Sequence, residues 1–264
     1  MGRQAPLACH NATVMSSAKP LTHLYFSGEL QVGRKCLLPR SQARHALRVL
    51  RLNAGAVITL FNGDGAEYEA VIEKAAEDGL VVIVRESRAA DREGPLAVTL
   101  AQAVSSGERM DFTLQKAVEL GVSSIQPLAT NRSIVHLDAE RAAKRVLHWQ
   151  SVVISACEQS GRNRVPTVEP LRGFDSWVRG LGRRPAGAHR LLLSPRGAVR
   201  LRDLERPAAG VMLLAGPEGG LAPEEEKDAL TAEFSVVRLG PRVLRTETAA
   251  LAALAALQTL WGDF

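Results

Sequence analysis

Two short runs without a polar residue, Leu191–Leu193 and Val211–Ala215, restrict the fold more than any other feature of the chain. Neither alternates in polarity, and neither is long enough for a buried helix. A strand that is apolar throughout is covered on both faces, as happens inside a parallel sheet flanked by helices. The neighbouring segments agree. Leu96–Val104, Val122–Leu128 and Val236–Leu239 read as further strands. Arg109–Leu120, Asp138–Ser160, Pro223–Ala232 and Thr246–Trp261 read as helices between them. Gly121 stops the first of these, while Asp138 caps the second and Gly161 closes it. Alternating strands and helices predict an α/β domain with a mostly parallel sheet over residues 95–264.

Upstream the pattern is different. Leu24–Phe26, Cys36–Leu38, Ala56–Phe61, Ala66–Ile72 and Leu80–Val84 are strand candidates. Asn62-Gly63-Asp64-Gly65 and Asp78-Gly79 are turn signals between them, which suggests a meander or small barrel over 21–90. The charged stretch Arg88–Pro95 ends in Gly-Pro and marks the boundary. Two domains suit a chain of 264 residues. Residues 1–20 lack the apolar core of a signal peptide and read as a loose tail, with Met15 as an alternative start.

One helix interrupts the β-rich part. Ser41 is its candidate N-cap, and it runs to about Arg51. Arg40, Arg44 and Arg48 recur at four-residue spacing, with Arg51 three further on, so a regular helix puts them on one face. Between Leu30 and Gly63 there are six cationic residues, Arg34 and Lys35 among them, and no acidic one. A stripe of one sign is the footprint expected of phosphate contacts, whereas solvated helix faces mix signs. The net charge of +5 points the same way. Arg162, Asn163 and Arg164 follow the long helix; they read as RNA-binding residues or as a basic helix terminus.

Cys9, Cys36 and Cys157 are far apart and odd in number, and the six histidines show no ligand spacing. That argues against a disulfide framework and against a metal site, and fits a reducing cytoplasm. No stretch approaches the ~20 apolar residues of a membrane span.

Chemistry enters at two strand ends. Gly216-Pro217-Glu218-Gly219-Gly220 follows Val211–Ala215, and Gly240-Pro241-Arg242-Val243-Leu244-Arg245 follows Leu239. Ligands of open α/β sheets bind outside the carboxyl ends of the strands. Glycine lets a ligand approach the backbone, and proline limits the entropy lost on ordering the loop. There is no GxxxxGK[ST] and no GxGxxG, so phosphate-loop and dinucleotide chemistry have no support. Such loops suit an uncharged ring such as adenine; a tight turn entering a helix is the other reading.

Ala215–Leu221 and Leu239–Ala249 together resemble the signature of the RsmE family, SPOUT-class methyltransferases that modify N3 of a uracil in 16S rRNA. Gln115–Val122 and Ala156–Pro166 are similar to the family's other motifs, so the resemblance spans all but residues 1–20. It implies a C-terminal trefoil-knot domain, which composition alone would not suggest. It also implies a PUA-like or OB-like N-terminal β-barrel, a homodimer, and 16S rRNA of the small subunit as substrate. The implied cofactor is S-adenosylmethionine. Its implied contacts are Leu192, Leu193 and Ser194, then Ala215, Gly216, Pro217, Glu218, Gly219 and Gly220. The last loop adds Leu239, Gly240, Arg242, Val243, Leu244, Arg245, Thr246, Thr248 and Ala249. Glu247 is the candidate base, or else a first-turn residue set against the helix dipole. Arg245 orients substrate or forms a loop salt bridge. Leu251, Leu254, Leu257 and Leu260 repeat every third position, which suits a dimer face and ordinary core burial equally.

Overall fold

The computed structural model describes residues 22–133 and 138–264. The tail expected over 1–20 lies outside the described residues, as does Cys9. Strands β1 (His23–Tyr25), β2 (Lys35–Pro39), β3 (Val57–Phe61), β4 (Ala66–Ala76) and β5 (Gly79–Ala89) form the first sheet. Its order is β1-β3-β4-β5-β2, with β1 parallel to β3 and the other pairs antiparallel. Bulges between Glu69 and Ala70 and between Ile72 and Lys74 bend the long β4–β5 ribbon around a core that includes Leu38, Ile58, Leu60 and Leu80.

The helix expected from Ser41 differs in kind. Helix α1 (Arg40–Arg44) begins straight after Pro39, whose φ of −64° is already set for it, and no side chain caps it. It continues as a π turn over His45–Val49 and ends at Arg51 with φ 54°. The wider turn moves Arg48 and Arg51 off the face that a 3.6-residue period would give them.

The second sheet contains β6 (Val98–Ala103), β7 (Ser124–Ala129), β10 (His189–Leu193), β11 (Val211–Ala215) and β12 (Ser235–Val237). Two-residue strands β8 (Thr167–Val168) and β9 (Arg172–Gly173) extend it at β7, and every pairing is parallel. Helices α2 (Gly107–Glu119), α3 (Ala139–Ser160) and α6 (Thr246–Trp261) cover one face. Helices α4 (Phe174–Gly180) and α5 (Pro223–Thr231) cover the other. Successive residues serve opposite faces: Leu191 and Leu213 pack toward α2, α3 and α6, and Leu192 and Leu214 toward α4 and α5. Cover on both faces is the physical reason the runs Leu191–Leu193 and Val211–Ala215 carry no polar residue. Leu254 and Leu257 are core, Leu251 is half-buried and Leu260 is exposed.

The two sheets are joined by polar contacts around the expected boundary. Glu67, 4% exposed, binds both Arg88 and Arg92, and Arg92 also donates to the Gly161 carbonyl at 2.7 Å. Burial alone would push the Glu67 carboxyl up; the two guanidinium groups outweigh it and hold the carboxyl below its usual range. Tyr25 N donates to Glu158 of α3 at 3.0 Å.

Residues 194–200 run beside β12. Ser194 N donates to Val237 O at 3.0 Å and Arg238 N to Val199 O at 2.9 Å. A Cβ on Gly197 would stand 2.6 Å from the Val237 carbonyl carbon and 2.7 Å from Arg238 N. Gly197→Ala is therefore expected to cost about 1–3 kcal/mol by forcing backbone apart. Gly173→Ala, whose nearest neighbour is a serine hydroxyl at 3.8 Å, serves as the clash-free control and is expected to cost less, about 1 kcal/mol at most, through the N-cap of α4. Denaturant midpoints for the two variants check this.

Candidate active site

A cleft of about 790 Å³ opens at the carboxyl ends of β10, β11 and β12, a size common for small-molecule sites. Leu192, Leu193 and Ser194 reach it from β10, and Ala215, Gly216, Pro217, Glu218, Gly219 and Gly220 from the end of β11. Strand β12 stops at Val237, two residues earlier than expected, so the loop over the cleft starts at Arg238. It contributes Leu239, Gly240, Arg242, Val243, Leu244 and Arg245, and α6 adds Thr246, Glu247 and Ala249. Thr248 is not part of the lining. It projects from the solvent side of α6, so the expected cofactor contact there is corrected.

The loops are stitched together by Thr246 and Glu218 with side chains that the sequence did not single out. Thr246 Oγ1 donates to the Gly216 carbonyl at 2.6 Å and accepts from Gln102 Nε2 at 3.3 Å. Gln102 is fully buried on β6. Glu218 accepts from Ser106 N at 3.3 Å and from Arg109 Nη1 at 3.0 Å. Burial raises its carboxyl, but these donors and its own backbone N–H win, and the group stays below its ordinary value. Its anchoring is complete above the normal carboxylate range and disappears as pH falls through the lowered value. Arg132 Nη1 donates to Gly219 O at 3.1 Å and Leu221 O at 3.2 Å. Glu225, 1% exposed, accepts from Asn131 N and from Ala222 N, both at 2.8 Å. Arg132 and Glu225 thus bracket the glycine loop from outside. Arg196 binds both oxygens of Glu226 on another rim, at 2.8 and 3.0 Å. These residues come from five separate elements, so no local spacing announces them.

Glu247 stands in the first turn of α6. Its Oε2 is buried without a hydrogen-bond partner. A buried acceptor left unpaired costs about 1–3 kcal/mol, which a ligand's donor would recover. Arg245 occupies the N-cap position just before it and, among the described residues, makes no salt bridge, so the loop ion pair considered above is not formed there.

The expected RNA-binding residues divide. Arg34, Arg44, Arg48 and Arg51 are exposed. Lys35 is paired with Glu73 at 2.6 Å, and Arg40 reaches the Glu77 carbonyl at 2.9 Å and Asp78 at 3.8 Å. Arg162 and Asn163 require correction. Arg162 is 6% exposed, pairs with Glu93 and donates to Val118 O and Val122 O, each at 2.9 Å. Asn163 is 1% exposed and bonds His23 Nε2 at 2.9 Å and the Ala90 carbonyl at 2.6 Å. Asn163 joins β1 to the segment between the sheets, Arg162 ties that segment to the end of α2, and both side chains are buried. Arg164, half-exposed, pairs with Asp91 at 3.0 Å.

Residues 92–258 match the family of RNA methyltransferase domains, and residues 38–85 the RNA methyltransferase PUA domain. The chain belongs to the RNA methyltransferase family. Within it, the chain is 34% identical to ribosomal RNA small subunit methyltransferase E of Mycobacterium tuberculosis, over 86% of this chain and 87% of that protein. It is 31% identical to the protein of the same name from Buchnera aphidicola, covering 93% and 98%. A crystal structure of ribosomal RNA small subunit methyltransferase E from Neisseria gonorrhoeae, bound to S-adenosylmethionine, superimposes with a TM-score of 0.84 at 45% identity, covering 92% and 99%. A methyltransferase of Legionella pneumophila in complex with the same cofactor gives 0.88 at 39%, covering 93% and 100%. The cleft fits that group. Its walls include Leu192, Leu193, Leu239 and Leu244 for an uncharged ring, with glycine backbone between them. Glu247, whose Oε2 has no hydrogen-bond partner among the described residues, belongs to the same lining.

Proposed function

We propose that this protein transfers the methyl group of S-adenosylmethionine to N3 of a specific uracil in 16S rRNA, acting in the cytoplasm as a homodimer. The observation that carries the reading is the meeting of two glycine loops, locked by Thr246 and Gln102, beside the half-buried Glu247, whose Oε2 has no partner. Leu192–Ser194, Ala215–Gly220 and Leu239, Gly240, Leu244, Thr246 and Ala249 hold the cofactor. When bound, the cofactor supplies an activated methyl group. Glu247 takes the N3 proton of the uracil, which is a poor nucleophile while protonated. Arg245 orients the base and stabilises the charge that develops on its oxygens. The fixed loops contribute alignment. The target base is read unstacked, while Arg34, Arg44, Arg48 and Arg51 grip the RNA backbone.

We divide the chain into an RNA-binding unit over 21–90 and a methyltransferase unit over 95–264, and infer that the C-terminal segment threads a knot. The run of 194–200 along β12 supports the threading. Exposed Leu260 and Val243 support a second copy as partner.

Thr246→Val removes the hydroxyl that joins the loops, takes the hydroxyl donor from the Gly216 carbonyl and leaves the Gln102 amide with the Ala103 carbonyl alone. About 1–3 kcal/mol is at stake, so affinity for S-adenosylmethionine should fall about tenfold. Titration calorimetry checks this and also tests the reading itself. Wild-type protein should bind S-adenosylmethionine and ignore ATP and NAD; binding of either nucleotide in its place would contradict it.

A further inference from the structure

Six arginines surround the cleft: Arg109, Arg132, Arg196, Arg238, Arg242 and Arg245. Three of them are committed within the molecule. Arg109 pairs with Glu218, Arg196 pairs with Glu226, and Arg132 is held by two carbonyls of the glycine loop. The other three all come from segment 238–245 and are exposed; among the described residues their side chains have no ion pair and no hydrogen bond. The lining carboxylates Glu218 and Glu226 are already neutralised, which leaves Glu247 alone against three cations.

Such an excess of one sign is unfavourable until an anion arrives. The cofactor is not that anion. It carries one carboxylate against an ammonium and a sulfonium, so its net charge is positive and extra cations would repel it. A polyanion resolves the imbalance. The segment is also fixed at both ends, by Arg238 N on Val199 O at 2.9 Å and by Thr246 on Gly216. Gly240, with φ +148°, and Pro241 set its path between them. The guanidinium groups are therefore presented from an anchored loop, and little loop entropy is lost when they bind.

We propose that Arg238 and Arg242 form an RNA phosphate subsite at the mouth of the cleft, holding the backbone beside the target nucleotide. This rests on the RNA methyltransferase reading above. It moves Arg242 from the cofactor to the substrate and adds Arg238, which no sequence motif distinguished. The rim acts together with the distant Arg44–Arg48 surface, one gripping next to the target and the other farther along the strand.

The test measures binding of a labelled hairpin from small-subunit ribosomal RNA across a salt series, with wild type, Arg238→Ala/Arg242→Ala and Arg238→Lys/Arg242→Lys. The alanine pair should bind RNA about tenfold or more weakly near 0.1 M salt. Its plot of log affinity against log salt should be shallower by about 0.7 for each phosphate it no longer neutralises. Its affinity for S-adenosylmethionine should stay within about twofold of wild type, and the lysine pair should keep the wild-type salt slope. If the alanine pair binds RNA as wild type does, or loses cofactor affinity instead, the rim assignment is overturned alone. A wild-type preparation that transfers no methyl group to any RNA overturns the assignment together with the reading beneath it.

Discussion

Glu247→Gln is expected to lower kcat for RNA methylation by about a hundredfold or more while leaving affinity for S-adenosylmethionine within about twofold. The reason lies in one atom. Oε2 of Glu247 is buried in the cleft with no donor beside it. Desolvation without a partner is costly; Glu73 Oε2 and Asp111 Oδ1 are also unpartnered, but of the three only Glu247 lines the cleft. Thr246 is committed to Gly216, while Arg109 and Arg196 are committed to Glu218 and Glu226. Arg238, Arg242 and Arg245 line the same cleft, yet none of them pairs with Oε2. The N3–H of uracil is a donor that this oxygen can accept. Glutamine keeps the shape and the first-turn position but cannot accept a proton at N3, and loss of a positioned base costs about 10²–10⁴ in rate. The result is separable from a structural role. A residue that merely complements the helix dipole is worth about 0.3–1 kcal/mol, and its glutamine variant would lose some thermal stability and little turnover.

Arg162→Met is expected to destabilise the protein by about 3 kcal/mol or more, lowering Tm by roughly 6–12 °C for a chain of this size. RNA affinity per folded molecule should change little. The guanidinium is nearly enclosed, with Glu93 on one side and the carbonyls of Val118 and Val122 on the other. Methionine fills much of the volume but leaves the Glu93 carboxylate and two carbonyls without their donor. Breaking a buried pair by removing one partner costs far more than the pair itself contributes. Arg44→Ala/Arg48→Ala should behave in the opposite way, weakening RNA binding with Tm unchanged. A normal Tm for Arg162→Met, coupled with a selective loss of RNA affinity, would return Arg162 to the RNA surface.

Arg162 also illustrates what a sequence hides. A basic triplet just beyond a long helix has the same composition whether it faces RNA or a neighbouring sheet. The distinction depends on Glu93, 69 positions away in the chain. Features written in short-range chemistry were legible. Asp138 does cap α3, accepting from Arg141 N at 2.8 Å, and Gly161 closes it with φ 77°. The apolar runs are central strands because their residues feed two cores at once. The π turn after Arg44 was not legible, since a wide turn adds one residue without changing which residue types are present. Strands β8 and β9 are too short to display any period, and α4 has no side-chain cap to announce it. In the cleft, the two glycine loops were visible as motifs, whereas Gln102, Arg132 and Glu225 act only through partners brought near by the sheet.

The most direct test incubates the protein with methyl-labelled S-adenosylmethionine and small ribosomal subunits from a strain that lacks this modification, then maps the label by nucleoside analysis. The expected product is 3-methyluridine at a single position of 16S rRNA. Label on a ribose, in transfer RNA, or at another base atom would contradict the proposed reaction.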